Sequence, residues 1–226
     1  MSATAVAMNN VTVHYHTTSN HEVTALNNIT LAIDYQKWVS IAGPSGSGKS
    51  SLLHVIGGLL TPQSGEIIVD QTPLHTTNQQ MRATFRLTHI GFVFQSFYLM
   101  PHLRAWENVA LPMLAAHIPL PERKKRAIEA LARVGLQDRL YHRPAELSGG
   151  EQQRVALARA VALAPRIILA DEPTGNLDAD SATVVLDILT QFVAQGATVI
   201  CATHDPLVIA RGDAVIHLHR GVIVPE

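Results

Sequence analysis

The stretch GPSGSGKS, Gly43 to Ser50, fits the pattern G-x-x-x-x-G-K-[ST] and lies between a strand-like run, Trp38 to Ala42, and a helix-like one. That order of strand, glycine loop and helix commits the chain to an α/β architecture before any other residue is considered. Gly43, Gly46 and Gly48 are free to take positive φ and bring bare backbone close to an anion. Pro44, Ser45 and Ser47 complete the loop, and successive N–H groups can then surround a β-phosphate. Lys49 adds positive charge for the β and γ oxygens, and the Ser50 hydroxyl suits a magnesium ion. Downstream, Leu52, Val55, Ile56 and Leu59 recur at helical spacing, so the loop is expected to deliver the anion to a helix N-terminus. A nucleoside triphosphate is the expected ligand.

Length and charge limit the alternatives. With 226 residues, 47% of them hydrophobic, the chain can bury a substantial core. A net charge of −1, with no basic block, argues against a nucleic-acid partner. The single cysteine, Cys201, sits in an apolar run and reads as a buried small hydrophobe in a reducing compartment. No apolar run reaches the roughly 18 residues that cross a bilayer, and the first 25 residues lack the features of a secretion signal.

Short β-like runs occur at Val11 to Tyr15, Ile29 to Ile33, Val39 to Ala42, Ile67 to Val69, Ile90 to Phe94, Ile167 to Ala170, Thr198 to Ala202 and Ala214 to Leu218. Helix-like segments run from Pro121 to Val134, Gly149 to Ala164 and Ser181 to Gln195. The alternation predicts a largely parallel central sheet. Met100 to Ser148 lacks clear strands and reads as a helical insertion beside it. His14 with His16, and His217 with His219, read as solvated strand faces without carboxylate partners, and the charge run Glu122 to Arg126 as the outer face of a helix.

Two further constellations carry chemistry. In RIILADEPTGNLD, Arg166 to Asp178, an apolar strand ends in Asp171 and Glu172. Ligands of open α/β sheets bind at that edge, so Asp171 suits magnesium and Glu172 suits an attacking water. In LSGGEQ, Leu147 to Gln152, Ser148 is an N-cap, Gly149 and Gly150 bare their amides, and Glu151 occupies the first turn. This is a second anion site.

Taken in order, GPSGSGKS, Gln95, LSGGEQ, IILADEP, NLD from Asn176 to Asp178, and His204 resemble the nucleotide-binding subunit of ABC transporters. DEPTGNLD and ENVALP, Glu107 to Pro112, are similar to the branch containing the lipoprotein-release and macrolide-export ATPases. The resemblance implies an ATP hydrolase with a P-loop NTPase core, a mostly parallel sheet, an N-terminal antiparallel β region and a helical subdomain. The core would comprise residues 1–95 and 165–226, and the subdomain residues 96–164. It implies that Tyr15 stacks on adenine, that Gly43 to Ser51 cradle the phosphates, and that Gln95 touches magnesium and the attacking water. Ser51 stands where the family usually has threonine, and it keeps the hydroxyl. Glu172 would be the general base and His204 a γ-phosphate contact. Ser148, Gly149, Gly150 and Glu151 would meet ATP held by a second copy of the chain, and Asp178 would lie across the seam.

The expected cofactors are therefore ATP and Mg2+, and the expected partner is a second copy in a head-to-tail dimer. A transmembrane permease subunit, with a periplasmic partner as a further option, would dock near Gln95 and the segment Phe97 to Pro101. The protein would then sit on the cytoplasmic face of the inner membrane. The competing readings are a soluble, non-transport ABC ATPase and a P-loop kinase. LSGGEQ speaks against the kinase, and the lack of tandem cassettes or a long coiled coil speaks against the soluble ATPase.

Overall fold

The computed structural model describes residues 4–16 and 22–225. Five strands run parallel because a crossover that returns to the same end of the sheet separates each from the next. These are β3 (Trp38–Ala42), β6 (Ile90–Phe94), β7 (Ile167–Asp171), β8 (Thr198–Thr203) and β9 (Ala214–His219). With antiparallel β10 (Val222–Val224) they form a sheet of order β10-β9-β3-β8-β7-β6. All of β3 and β8 is buried, as expected of central strands covered on both faces, where β-branched runs such as WVSIA and TVICAT belong.

A second, antiparallel sheet of order β2-β1-β4-β5 combines β1 (Thr4–His16), β2 (Glu22–Asp34), β4 (Ser64–Val69) and the short β5 (Thr72–Pro73). Strands β1 and β2 extend well beyond the sequence-derived runs. Left-handed Asn10 and Asn28 kink the ladder where the register shifts, so alternation is interrupted but pairing continues.

The parallel sheet divides the interior in two. One face packs Val39, Ile41, Leu169 and Ile200 against helix α1 (Lys49–Ile56) and the antiparallel sheet. The other packs Val93, Ala170, Val199 and Cys201 against α3 (Ala105–Ala115), α4 (Leu120–Arg133), α5 (Gly149–Ala160) and α6 (Ala179–Ala194). Cys201 is fully buried at the centre of the sheet, and that burial pushes its thiol well above its ordinary pKa.

Several expectations need correction. Helix α1 stops at Ile56, and Leu59 lies beyond it, half exposed, so the helical spacing ran one turn too far. Helix α5 stops at Ala160 rather than Ala164, where a left-handed Ala164 turns the chain into Pro165. Helix α2 (Gln79–His89) was not expected: it is mostly polar and buries only Phe85, so it gives a weak hydrophobic signal. Its start is fixed by Asn78, whose side chain accepts from the Met81 N–H at 2.9 Å. His14 also has a carboxylate neighbour, with Nδ1 3.8 Å from Glu22 Oε1, while the side chain of His16 lies outside the described residues. Among the described residues no cluster of three potential metal ligands forms. The remaining helix, α7 (Pro206–Ile209), follows β8 directly.

Candidate active site

Register places the chemistry. Ala42 pairs with Thr203, Ala202 with Asp171, and Asp171 with Phe94, so four adjacent strands finish at one edge. From that edge the chain continues into the glycine loop, Glu172, His204 and Gln95. The resulting cleft has a volume of about 500 Å3 and is lined by Tyr15, Ser45, Gly46, Gly48, Lys49, Ser50, Ser51, Gln95, Asp171, Glu172 and His204. Val23, Thr24 and Ala25 of β2 complete one wall. No motif marked these three; only the packing of the antiparallel sheet over α1 brings them there.

Within the loop, Gly46 and Gly48 have φ of 76° and 105°. A Cβ on Gly48 would stand 2.4 Å from the Ala25 carbonyl oxygen, and one on Gly43 2.2 Å from that of Leu218. Glycine is therefore required by both space and φ at Gly48, by φ alone at Gly46, and by space alone at Gly43, which does not take the positive φ expected of it. Lys49 is buried, and its Nζ donates to the Gly43 and Pro44 carbonyls at 2.8 and 3.1 Å. Ser47 is also buried, away from the cleft lining, and its hydroxyl has no hydrogen-bond partner among the described residues. A buried cation on the cleft wall, bonded among the described residues to neutral carbonyls alone, is the environment that a polyphosphate completes.

Glu172 leaves β7 with a left-handed backbone, φ 47°, in a turn closed by Gly175 N–H donating to the Glu172 carbonyl. Such a conformation costs a non-glycine residue on the order of 1 kcal/mol and here aims the carboxylate into the cleft. Its Oε1 accepts from His204 Nδ1 at 2.8 Å, and its Oε2 from the Thr203 hydroxyl at 3.3 Å. Thr203 had not been singled out, and its only sequence signal is its place before His204. The Tyr15 hydroxyl is 3.2 Å from Ser51 Oγ, tying the aromatic at the end of β1 to the first turn of α1.

Gln95 is doubly held by Asn176, whose Oδ1 accepts from Gln95 Nε2 at 3.3 Å and whose Nδ2 donates to the Gln95 carbonyl at 2.9 Å. Ser148, Gly149, Gly150, Glu151 and Asp178 do not line the cleft. Gly149 instead lies against Asn176 and Leu177, and Gly150 against Ser181. Ser148 caps α5 by accepting from Glu151 N–H at 3.2 Å, and Glu151 Oε2 accepts from Ser148 N–H at 2.9 Å. That second bond, with Arg139 Nε 2.8 Å from the other oxygen, holds the Glu151 carboxyl below its ordinary range. Asp178 caps α6, and the Ser181 N–H it accepts lowers its pKa.

Residues 26–175 match the model of the ABC transporter family. This chain belongs to the ABC transporter family. It is 44% identical over 204 residues to the lipoprotein-releasing system ATP-binding protein LolD of Paramagnetospirillum magneticum, covering 90% of each chain. With the macrolide export ATP-binding/permease protein MacB of Chromobacterium violaceum it shares 45% identity over 205 residues, 91% of this chain but 32% of that one. Among solved structures, the dimeric ATP-binding cassette MJ0796 bound to ADP and Pi superposes with a TM-score of 0.90, at 40% identity over 97% of both chains. The cassette is thus an ATP-binding, ATP-hydrolysing protein of the ABC type, and the non-transport and kinase readings gain no support. No helix among the described residues is long and apolar enough to cross a membrane.

Proposed function

We propose that this cassette works as a head-to-tail homodimer that closes over two ATP molecules and drives a separate transmembrane permease at the cytoplasmic face of the inner membrane. The observation that carries the reading is the separation of the two anion sites. The glycine loop, Glu172, Gln95 and His204 share one cleft, whereas Ser148, Gly149 and Gly150 stand outside it. Only a second copy can bring that helix start to the γ-phosphate, and the dimeric MJ0796 cassette has this cassette's fold.

In this arrangement the core, residues 1–95 and 165–226, receives ATP, and the helical part, residues 96–164, presents the partner's contact. Tyr15 stacks on adenine, and the amides of Gly43 to Ser51 cradle the phosphates. Lys49 exchanges its two carbonyl partners for phosphate oxygens. Ser50, Gln95 and Asp171 offer the oxygen donors that suit Mg2+, which when bound neutralises developing charge on the β and γ oxygens. Glu172 accepts the proton of a water whose oxygen attacks the γ-phosphorus. The bond to the bridging oxygen breaks, and ADP departs with that oxygen. His204 and Thr203 hold the carboxylate in position. Glu151 fixes the helix start, and Asp178 holds the seam of the dimer.

For the permease, an apolar groove of about 490 Å3 opens beside Gln95, lined by Phe92, Phe94, Tyr98, Leu87, Leu163 and Arg159 among others. Of the expected segment Phe97 to Pro101 only Tyr98 lines it, and Leu99 packs into the core instead. A periplasmic protein beyond the permease extends the same reading. The test is ATPase activity per chain against protein concentration. A rise with dilution-sensitive dimer content is expected; a constant value in a strictly monomeric preparation would refute the reading.

A further inference from the structure

Arg159, in the last turn of α5, is partly buried, and among the described residues its guanidinium forms no ion pair. Burial lowers its pKa, so the chain tolerates a cation whose desolvation is offset only by neutral carbonyls. Those carbonyls come from consecutive residues. Nη2 donates to Phe97 O at 2.6 Å and Nη1 to Tyr98 O at 2.5 Å. Phe97 and Tyr98 are both left-handed, with φ of 58° and 47°. Neither is glycine, and two such residues in a row hold only where the surroundings impose them. The forked guanidinium, able to bond both oxygens at once, imposes them here.

This strained pair begins two residues after Gln95. On one side, Gln95 is braced by Asn176. On the other, the Tyr98 ring packs edge-on against Phe94, their centroids 5.2 Å apart, on the wall of the apolar groove that Arg159 also lines. The opposite end of α5 is the Ser148 cap. Arg159 thus joins three parts: the helix that begins at Ser148, the groove, and the segment that aims Gln95 into the cleft.

We propose that Arg159 is a positioning residue for hydrolysis, clamping the Phe97 and Tyr98 carbonyls so that Gln95 is held at its working position and groove occupancy is felt in the cleft. The inference rests on the role proposed for Gln95. Lysine cannot bond both carbonyls in one fork, and methionine fills the volume without donors.

The test uses the full chain carrying Arg159→Lys, Arg159→Met, Gln95→Ala and the double change Gln95→Ala with Arg159→Met. Arg159→Met is expected to lower kcat about tenfold or more with KM for ATP changed less than about twofold, the signature of lost transition-state positioning. Arg159→Lys should recover part of that loss. In the double variant kcat should fall no further than in Gln95→Ala alone, because the clamp acts through Gln95. Without nucleotide, amide hydrogen exchange of residues 95–101 should quicken in Arg159→Met while β7 and β8 stay protected.

Additive losses, unchanged exchange at 95–101, or equal loss of kcat and ATP affinity would overturn the proposal. Should Arg159→Met fail to fold, the same readings on Arg159→Lys decide the matter. If Gln95→Ala itself leaves kcat unchanged, the reading of the cleft fails; if it lowers kcat while both Arg159 variants match the parent, only this inference fails.

Discussion

Replacing Glu172 by glutamine removes one proton acceptor and almost nothing else. The side chains are isosteric: the amide oxygen can keep the bond from His204 Nδ1, 2.8 Å from Oε1, while the amide NH2 replaces Oε2, 3.3 Å from the Thr203 hydroxyl, whose oxygen can accept from it instead. His204 is 71% exposed, so exchanging its charge-assisted bond for a neutral one costs well under about 1 kcal/mol of stability. The left-handed turn at Glu172 is a backbone property closed by Gly175 N–H, and it persists. Catalysis loses far more. General-base assistance is worth roughly 10²- to 10⁴-fold, or about 3 to 5 kcal/mol of barrier. ATP affinity should hold or improve, since a negative charge leaves the vicinity of the triphosphate. The assay is phosphate release under saturating ATP and Mg2+, paired with light scattering and nucleotide extraction after gel filtration. Collapse of turnover with ATP retained in a stable dimer is expected. Turnover within about threefold of the parent would refute the base assignment.

Gly48→Ala places a methyl group 2.4 Å from the Ala25 carbonyl at φ 105°, so the loop must open. ATP affinity should drop by at least about tenfold in a binding titration, with Tm lowered by roughly 2–4 °C for each kcal/mol of strain. Glu151→Gln tests the α5 cap through pH. The folded carboxyl lies below its ordinary value of 4.5, chiefly through the Ser148 N–H. Its contribution is therefore present above 4.5 and is lost as pH falls through the lower folded value. Thermal melts should show the variant less stable than the parent at pH 7, with the gap closing as pH falls below 4.5. An unchanged gap at low pH would remove the carboxylate from the cap.

Strand positions were legible wherever a β-branched run was buried on both faces, as in WVSIA, IILAD and TVICAT, because full burial leaves a continuous apolar signature. The glycine loop was legible because its glycines are fixed by sterics, and Glu172 because its strand ends there. Helix α2 was not, since it is mostly polar and buries a single residue, with its start marked only by the Asn78 cap. Nor was the β2 wall of the cleft: Val23 and Thr24 pair locally with Tyr15 and His14, and it is the packing of that sheet over α1 that carries them to the cleft. The Asn176 brace on Gln95 and the Thr203 contact to Glu172 depend on distances of angstroms between separate loops, which spacing along a chain does not encode.

Mixing two inactive variants, Lys49→Ala and Ser148→Ala, in equal amounts addresses the dimer most directly. In a head-to-tail pair, one composite site of each mixed dimer keeps an intact Lys49 from one chain and an intact Ser148 from the other. About half the dimers are mixed, so about a quarter of all sites should be whole and ATP hydrolysis should return on mixing. Mixed samples that stay as inactive as their components would contradict a site built from two chains.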